Sequence, residues 1–301
     1  PSVLAGEPRW PLIVKLVRRT LTLFALGIIV NGFPLFQWDV LRIPGVLQRI
    51  ALCYCFGALM VLETSIRTQA LVALTLSIAY TAVMTLVPVP GHSLGPPTTD
   101  MNLPAYVDDL LLHNHLLHAG GDPEGILSAF PAFATTLSGV LTGHWLLSTR
   151  SASERVAGLF VAGDSGLALG LLMDKWVPIN KSLWSSSYVV FTAGMALIVL
   201  AVCFWLMDVK RYRRWAKPFV VYGTNPIVAY VLSSLMAKVM LLGKVTVPDG
   251  AKIDFQQFVF ERLFLPLAQP VDASFLYALA YVLFWLGITA VLYRQRIIIK
   301  M

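Results

Sequence analysis

Along the chain, apolar positions come in long blocks rather than in the strict alternation of a half-buried strand. Eight such blocks stand out, at about 16–36, 43–62, 69–88, 126–148, 155–173, 186–207, 217–242 and 273–293. Crossing ~30 Å of hydrocarbon takes ~20 mostly apolar residues in a helix. Within lipid a helix satisfies its own backbone polar groups, so blocks of this length predict helices and not strands. The pattern therefore predicts an all-α membrane protein, a polytopic transmembrane helix bundle with about 8 spans forming one domain over 1–301.

Composition sharpens this. The chain is 57% hydrophobic and 13% charged, against ~45–50% and ~25% in soluble domains. That excludes an ordinary cytosolic enzyme and a disordered chain. The formal charge is +7, but the basic residues sit in short clusters between apolar blocks, which argues against a nucleic-acid partner. Cys53, Cys55 and Cys203 lie inside apolar blocks, so no disulfide framework is implied. Metal-ligand spacings, dinucleotide and phosphate-loop glycine motifs and the serine nucleophile elbow are absent from the sequence.

Lys and Arg fix an expected orientation. One set of connections and both ends carry Arg9, Lys15, Arg18, Arg19, Arg67, Arg150, Arg155, Lys210, Arg211, Arg213, Arg214, Lys217, Arg294, Arg296 and Lys300. The alternating set carries only Arg42, Lys175, Lys181, Lys244, Lys252 and Arg262. Both ends are thus expected in the cytoplasm. The outer side receives two long connections, 89–125 and 243–272. The first has no Lys or Arg and holds Asp100, Asp108, Asp109, Asp122, Glu124, His92, His113, His115 and His118. A connection this long in a compact protein is more often functional than idle, although a solvated cap would also account for it. The second includes an apolar stretch, Phe258 to Leu267, too short to span and expected at the interface or re-entrant.

Polar side chains inside spans are expensive and point to a cavity or a partner. Arg42-Ile-Pro-Gly-Val-Leu-Gln48-Arg49 places two guanidiniums seven residues apart, on one face if the helix includes both. Arg49 needs an anionic partner, either a protein carboxylate or a bound phosphate or sulfate. Asp122-Pro-Glu124-Gly-Ile-Leu-Ser128 reads as an N-cap and helix entry, with Glu124 and Ser128 on one side. Asn180-Lys181-Ser-Leu-Trp184-Ser-Ser-Ser187 gathers an amide, an ammonium, an indole and hydroxyls at one membrane entrance; belt residues at an interface would look similar. Tyr222-Gly-Thr-Asn225-Pro226 breaks the seventh block, since Pro226 removes a backbone bond. Lys238 is expected to snorkel. Asp164 stands mid-span with Arg49 or Asn225 as conceivable partners, and His144 reads as interfacial. The run Lys210 to Arg214 is chiefly topological, with phosphate binding as the lesser alternative.

RIPGVLQR, NLPAYVD, LLLHNHLL, DPEGILS, VPINKSLWSSSYV, YGTNPIVAYV and YRQRIIIK follow one another in order. Together they resemble the heparan-α-glucosaminide N-acetyltransferase family of multi-pass membrane acyltransferases, over nearly the whole of 40–300. The resemblance implies transfer of an acetyl group from cytoplasmic acetyl-CoA to an amino sugar of an extracytoplasmic glycan. It implies a tunnel lined by Arg42, Gln48, Arg49, Asn180, Lys181, Trp184 and Asn225. It further implies an acceptor site using Asp122, Glu124, Ser128 and His115, of which His115 matches the family's loop histidine. The family's catalytic histidine would lie upstream of Pro1, so no residue here inherits that role, and a chain lacking its first two spans is expected to be inactive alone. Asp109 stands where the family has Arg, and Asp164 has no counterpart. Direct transfer and an acetyl-histidine intermediate both remain open. So do two alternatives: a transporter or flippase of an anionic envelope precursor, and a glycan O-acetyltransferase. Partners would be the glycan and the bilayer, with a homodimer left open and no metal. Short loops and few outer cysteines favour a bacterial inner membrane.

Overall fold

The structure is a computed structural model and describes residues 9–90, 102–118, 121–247 and 250–299, the side chain of Arg9 excepted. The expectations placed on His92, Asp100 and Lys300 lie outside these residues. Every apolar block becomes helix. In order come α1 (Arg9–Gly32), α2 (Val46–Glu63), α3 (Ile66–Leu86), α4 (Leu103–Leu112), α5 (Ala129–Leu146), α6 (Ala152–Met173), α7 (Ser186–Phe204), α8 (Lys217–Thr224) and α9 (Pro226–Leu242). A two-stranded antiparallel hairpin, β1 (Lys244–Thr246) and β2 (Lys252–Asp254), then leads into α10 (Phe255–Val259) and α11 (Pro270–Arg294).

Five of these, α2, α3, α6, α7 with its extension to Val209, and α11, are long and apolar enough to cross a membrane; α8 and α9 make a sixth if their 69° bend is one broken span. The other two expected spans are helices too, but α1 carries Lys15, Arg18 and Arg19, and α5 mixes Ser, Thr, Gly and His144 into 18 residues. Polarity is distributed inside out. Gln48, Arg49, Gln69, Ser128, Ser186, Ser187 and Asn225 are buried, while Leu71, Leu74, Ile78, Val161, Val199, Phe275 and Phe284 are exposed. In water that arrangement would leave the helices unstable against each other. In lipid, where apolar side chains meet apolar solvent, it is the expected one. The protein is a helical membrane protein.

The chain forms two compact units, one comprising the first helix with Gln37–Tyr212, the other Phe33–Phe36 with the chain from Arg213 onward. In the first, α6 and α7 pack with their backbones nearly in contact. A Cβ on Gly194 would lie 2.6 Å from the backbone nitrogen of Leu167, and one on Gly166 would lie 3.0 Å from the Cα of Gly194. Ser151 and Glu154 form a capping box at the start of α6, and Ser65 and Ser185 cap α3 and α7. In the second unit the break at Pro226 is as the sequence predicts, and Lys238 donates to the Phe33 carbonyl at 3.2 Å instead of reaching for headgroups. Phe260 and Phe264 of the apolar stretch meet the Tyr277 ring edge-on, at 6.2 and 5.3 Å.

Candidate functional site

The connection between α1 and α2 is extended and is held from both sides. Asn31 donates to the carbonyls of Arg42 and Pro44, both at 2.9 Å. His115 meets the Leu41 carbonyl through Nδ1 at 2.8 Å, and its own carbonyl accepts from Ile43 at 3.0 Å. The predicted shared face of Arg42 and Arg49 does not form, because α2 begins only at Val46 and Arg42 lies in the extended segment. His115 is therefore a bracket for that segment.

Arg42 so placed meets the loop before α5. Its Nε and Nη2 donate to Asp122 Oδ2 and Oδ1, both at 2.7 Å, and Nη2 also reaches Glu124 at 2.5 Å. Asp122 additionally accepts from the backbone N–H of Leu117 at 3.0 Å and of Glu124 at 2.9 Å. Burial pushes the Asp122 carboxyl upward, but the Arg42 bonds and those two amides outweigh it and hold its pKa below the ordinary carboxylate value. Burial likewise works against the Arg42 charge, and the two carboxylates overcome it, raising the guanidinium above its ordinary value. The expectation that Asp122 caps a helix is corrected. Helix α5 starts seven residues later, because Pro123 and Gly125 build a turn in which the Gly125 amide returns to the Asp122 carbonyl at 2.9 Å. Glu124 and Ser128 consequently do not share a helical face.

The same turn receives Arg49, which is 7% exposed. Its Nη2 donates to the Ser128 hydroxyl and, at 3.4 Å, to the Gly125 carbonyl. Its guanidinium lies 4.8 Å from the Trp184 ring, a cation–π contact. Trp184 reaches it through a left-handed backbone (φ 52°), and its indole N–H is tied to the Thr135 hydroxyl at 3.1 Å. Nε and Nη1 of Arg49 have no hydrogen-bond partner. Gln48, buried at the adjacent position, packs its amide against Gly27 of α1 and Gly45 instead. Helices α2, α5 and α7 all begin within a few residues of the groups this guanidinium touches. The cluster holds two cations, Arg42 and Arg49, against three carboxylates, Asp108, Asp122 and Glu124, and what could take an anion within it is the pair of unpartnered Arg49 nitrogens.

Other expected site residues are placed elsewhere. Asn180 accepts from the amides of Ser182 and Leu183 at 2.8 and 3.2 Å, shaping the turn that presents Trp184. Lys181 is exposed at the tip of that turn and does not join Arg49. Asn225, in the second unit, is 1% exposed and fully engaged, donating to the Ile297 carbonyl and accepting from the Ile299 amide, both at 2.9 Å. It fastens the 297–299 segment. Asp164 is exposed on α6, so neither Arg49 nor Asn225 is its partner. His144 meets Gln69 at 3.1 Å, at the opposite ends of α5 and α3 from Ser128 and Tyr80. A cavity of about 950 Å³ between α3, α5, α6 and α7 is lined by apolar side chains and hydroxyls, reaches Ser186, and excludes Arg49 and Trp184. Among the described residues no group of three or more His, Cys, Asp or Glu is placed to hold a metal.

One residue was not singled out in the sequence. Asp108, on α4, is fully buried; its Oδ1 accepts from the Ile126 amide at 2.8 Å and its Oδ2 has no partner. Burial pushes its pKa up to about 6. Nothing in a loop rich in acids distinguishes it from Asp109, which faces outward.

These features define a polytopic helical membrane protein with a buried cluster of charged side chains around Arg49 at one end of its first helical unit. No family model matches the chain. It is 30% identical over 284 residues to heparan-α-glucosaminide N-acetyltransferase of Mus musculus, covering 75% of this chain and 43% of the mouse protein. With the Homo sapiens enzyme of the same name it is 29% identical, over 75% of this chain and 42% of that protein. The chain is thus similar to these acetyltransferases over three quarters of its own length, in line with the resemblance its ordered motifs carry, and spans less than half the length of either.

Proposed function

We propose that this chain supplies the Arg49 pocket of a membrane acetyltransferase, one that takes acetyl from cytoplasmic acetyl-CoA and delivers it to an amino sugar on the outer side. The observation that carries this reading is Arg49 itself, a buried guanidinium with two unpartnered nitrogens. A charge held this way fits an anion that comes and goes. Acetyl-CoA supplies the thioester, whose carbonyl oxygen gains negative charge when the amine attacks. Arg49 would stabilise that oxygen, and Trp184 would keep water from the guanidinium face. Asp122 and Glu124, engaged by Arg42, hold the turn and do not receive the acceptor's ammonium. The basic face would lie in the cytoplasm and the Arg42–Asp122 end outside, in a bacterial inner membrane, as the distribution of Lys and Arg supports.

The test uses full-length protein in detergent or proteoliposomes, following CoA release from acetyl-CoA with glucosamine-type acceptors. Arg49→Ala should lower kcat about 100-fold or more, with helicity and melting behaviour retained, and Arg49→Lys should recover little because the ammonium lacks the planar donor set. Turnover within threefold of wild type would refute the role. Uptake of an anionic precursor without CoA release would instead identify a transporter.

A further inference from the structure

Two hydrogen bonds described separately above belong to one peptide group. The Gly125 carbonyl accepts from Arg49, and the amide of Ile126, the other end of the same peptide bond, donates to Asp108. In a trans peptide these two groups point in opposite directions. We infer that Asp108 is a positioning residue for Arg49, holding the Gly125–Ile126 peptide so that its carbonyl, and the Ser128 hydroxyl that follows, face the guanidinium. The inference rests on the proposed function for what Arg49 does, but not for the geometry.

Three observations support it. Asp108 is 0% exposed, and the backbone groups its carboxylate serves, at Ile126 and Asp122, both belong to the turn. Position 125 must be glycine, because a Cβ there would overlap the Asp108 carboxylate. And Asp122 and Glu124 are both hydrogen-bonded to Arg42, which leaves Asp108 as the acid bound to the peptide whose carbonyl Arg49 uses. Without Asp108 the peptide can turn over and point an N–H at the guanidinium, a repulsive arrangement. The groups facing Asp108 are Asp122 and the Ile126 amide from the turn, Arg49 from α2 and Tyr80 from α3. Its carboxyl, pushed up to about 6 by burial, loses its charge just below neutrality.

The experiment compares Asp108→Ala with Asp108→Asn in the full-length protein. Asparagine keeps an acceptor for the Ile126 amide and removes the charge. Hydrogen exchange of residues 125–128 should accelerate at least tenfold in the alanine variant and change little in the asparagine variant. Acetyl transfer should lose about 10- to 100-fold in kcat, more than in KM, with alanine. Asparagine should recover most of that, because it keeps the acceptor for the Ile126 amide. Unchanged exchange at 125–128 in Asp108→Ala would overturn the positioning role whether or not the protein proves to be an acetyltransferase. If exchange responds while wild type transfers no acetyl group, the geometry stands and the proposed function falls.

Discussion

Removing Arg42 tests the cluster most directly. In Arg42→Ala, Asp122 loses two charge-assisted bonds of 2.7 Å and Glu124 loses one of 2.5 Å. The side chain of Asp122 is 0% exposed, so its charge is left buried, while Glu124 at 18% can turn to water. Breaking a buried pair from one side costs about 3–5 kcal/mol. Asp122 retains two backbone N–H donors and Arg42 is one-fifth exposed, so the lower end applies, about 3 kcal/mol. For a unit of this size that corresponds to a fall in Tm of about 6–12 °C. The assay is thermal unfolding in detergent at pH 7 and again at falling pH. Asp122 has a lowered folded pKa, so its stabilisation is present above the ordinary aspartate value and is lost as pH falls through the folded one. The gap between wild type and Arg42→Ala should therefore close below about pH 4. A shift under 2 °C at pH 7, or a gap that widens in acid, would refute the reasoning.

Two further outcomes follow from packing. Gly194→Leu drives a side chain into the backbone of α6 at Leu167, which cannot retreat, so the variant should fail to yield monodisperse protein, whereas Gly139→Ala, with nothing within 4 Å of its Cβ, should behave as wild type on size-exclusion chromatography. Asn225→Ala removes both bonds to the 297–299 segment, whose side chains are exposed, so the cost is that of the two bonds, about 1–2 kcal/mol; amide exchange at Ile299 should rise sharply without comparable change in α5 or α6.

Helix content was legible because spans are written in blocks of one period, and the break at Pro226 because proline names its own position. The connections were not legible in the same way. Arg42 and Asp122 are 80 residues apart, and each had a sufficient local reading, the one as a helix-face cation and the other as a cap. What displaced both readings is tertiary. The segment before α2 stays extended because Asn31 and His115 take its backbone groups, and the turn before α5 stays open because Asp108 and Arg42 hold it. Asn180 and Asn225 show the converse limit, since an amide at a helix break reads as cavity lining in sequence and in the structure serves the backbone around it. Lys181 was read with Trp184, three residues away, but a turn sends one outward and the other in.

The charge balance around Arg49 bears on what it would hold. Two cations, Arg42 and Arg49, meet three carboxylates, Asp108, Asp122 and Glu124, so a net positive field is not what would draw an anion there. The attraction is local, from the two nitrogens of Arg49 that have no hydrogen-bond partner. A multiply charged anion would meet repulsion from the surrounding carboxylates, whereas a single oxygen that gains charge only during reaction would not. On the proposed reading, the group that fits Arg49 is therefore the carbonyl oxygen of a thioester and not a phosphate, so the cation would act on the step of transfer more than on the binding of the donor.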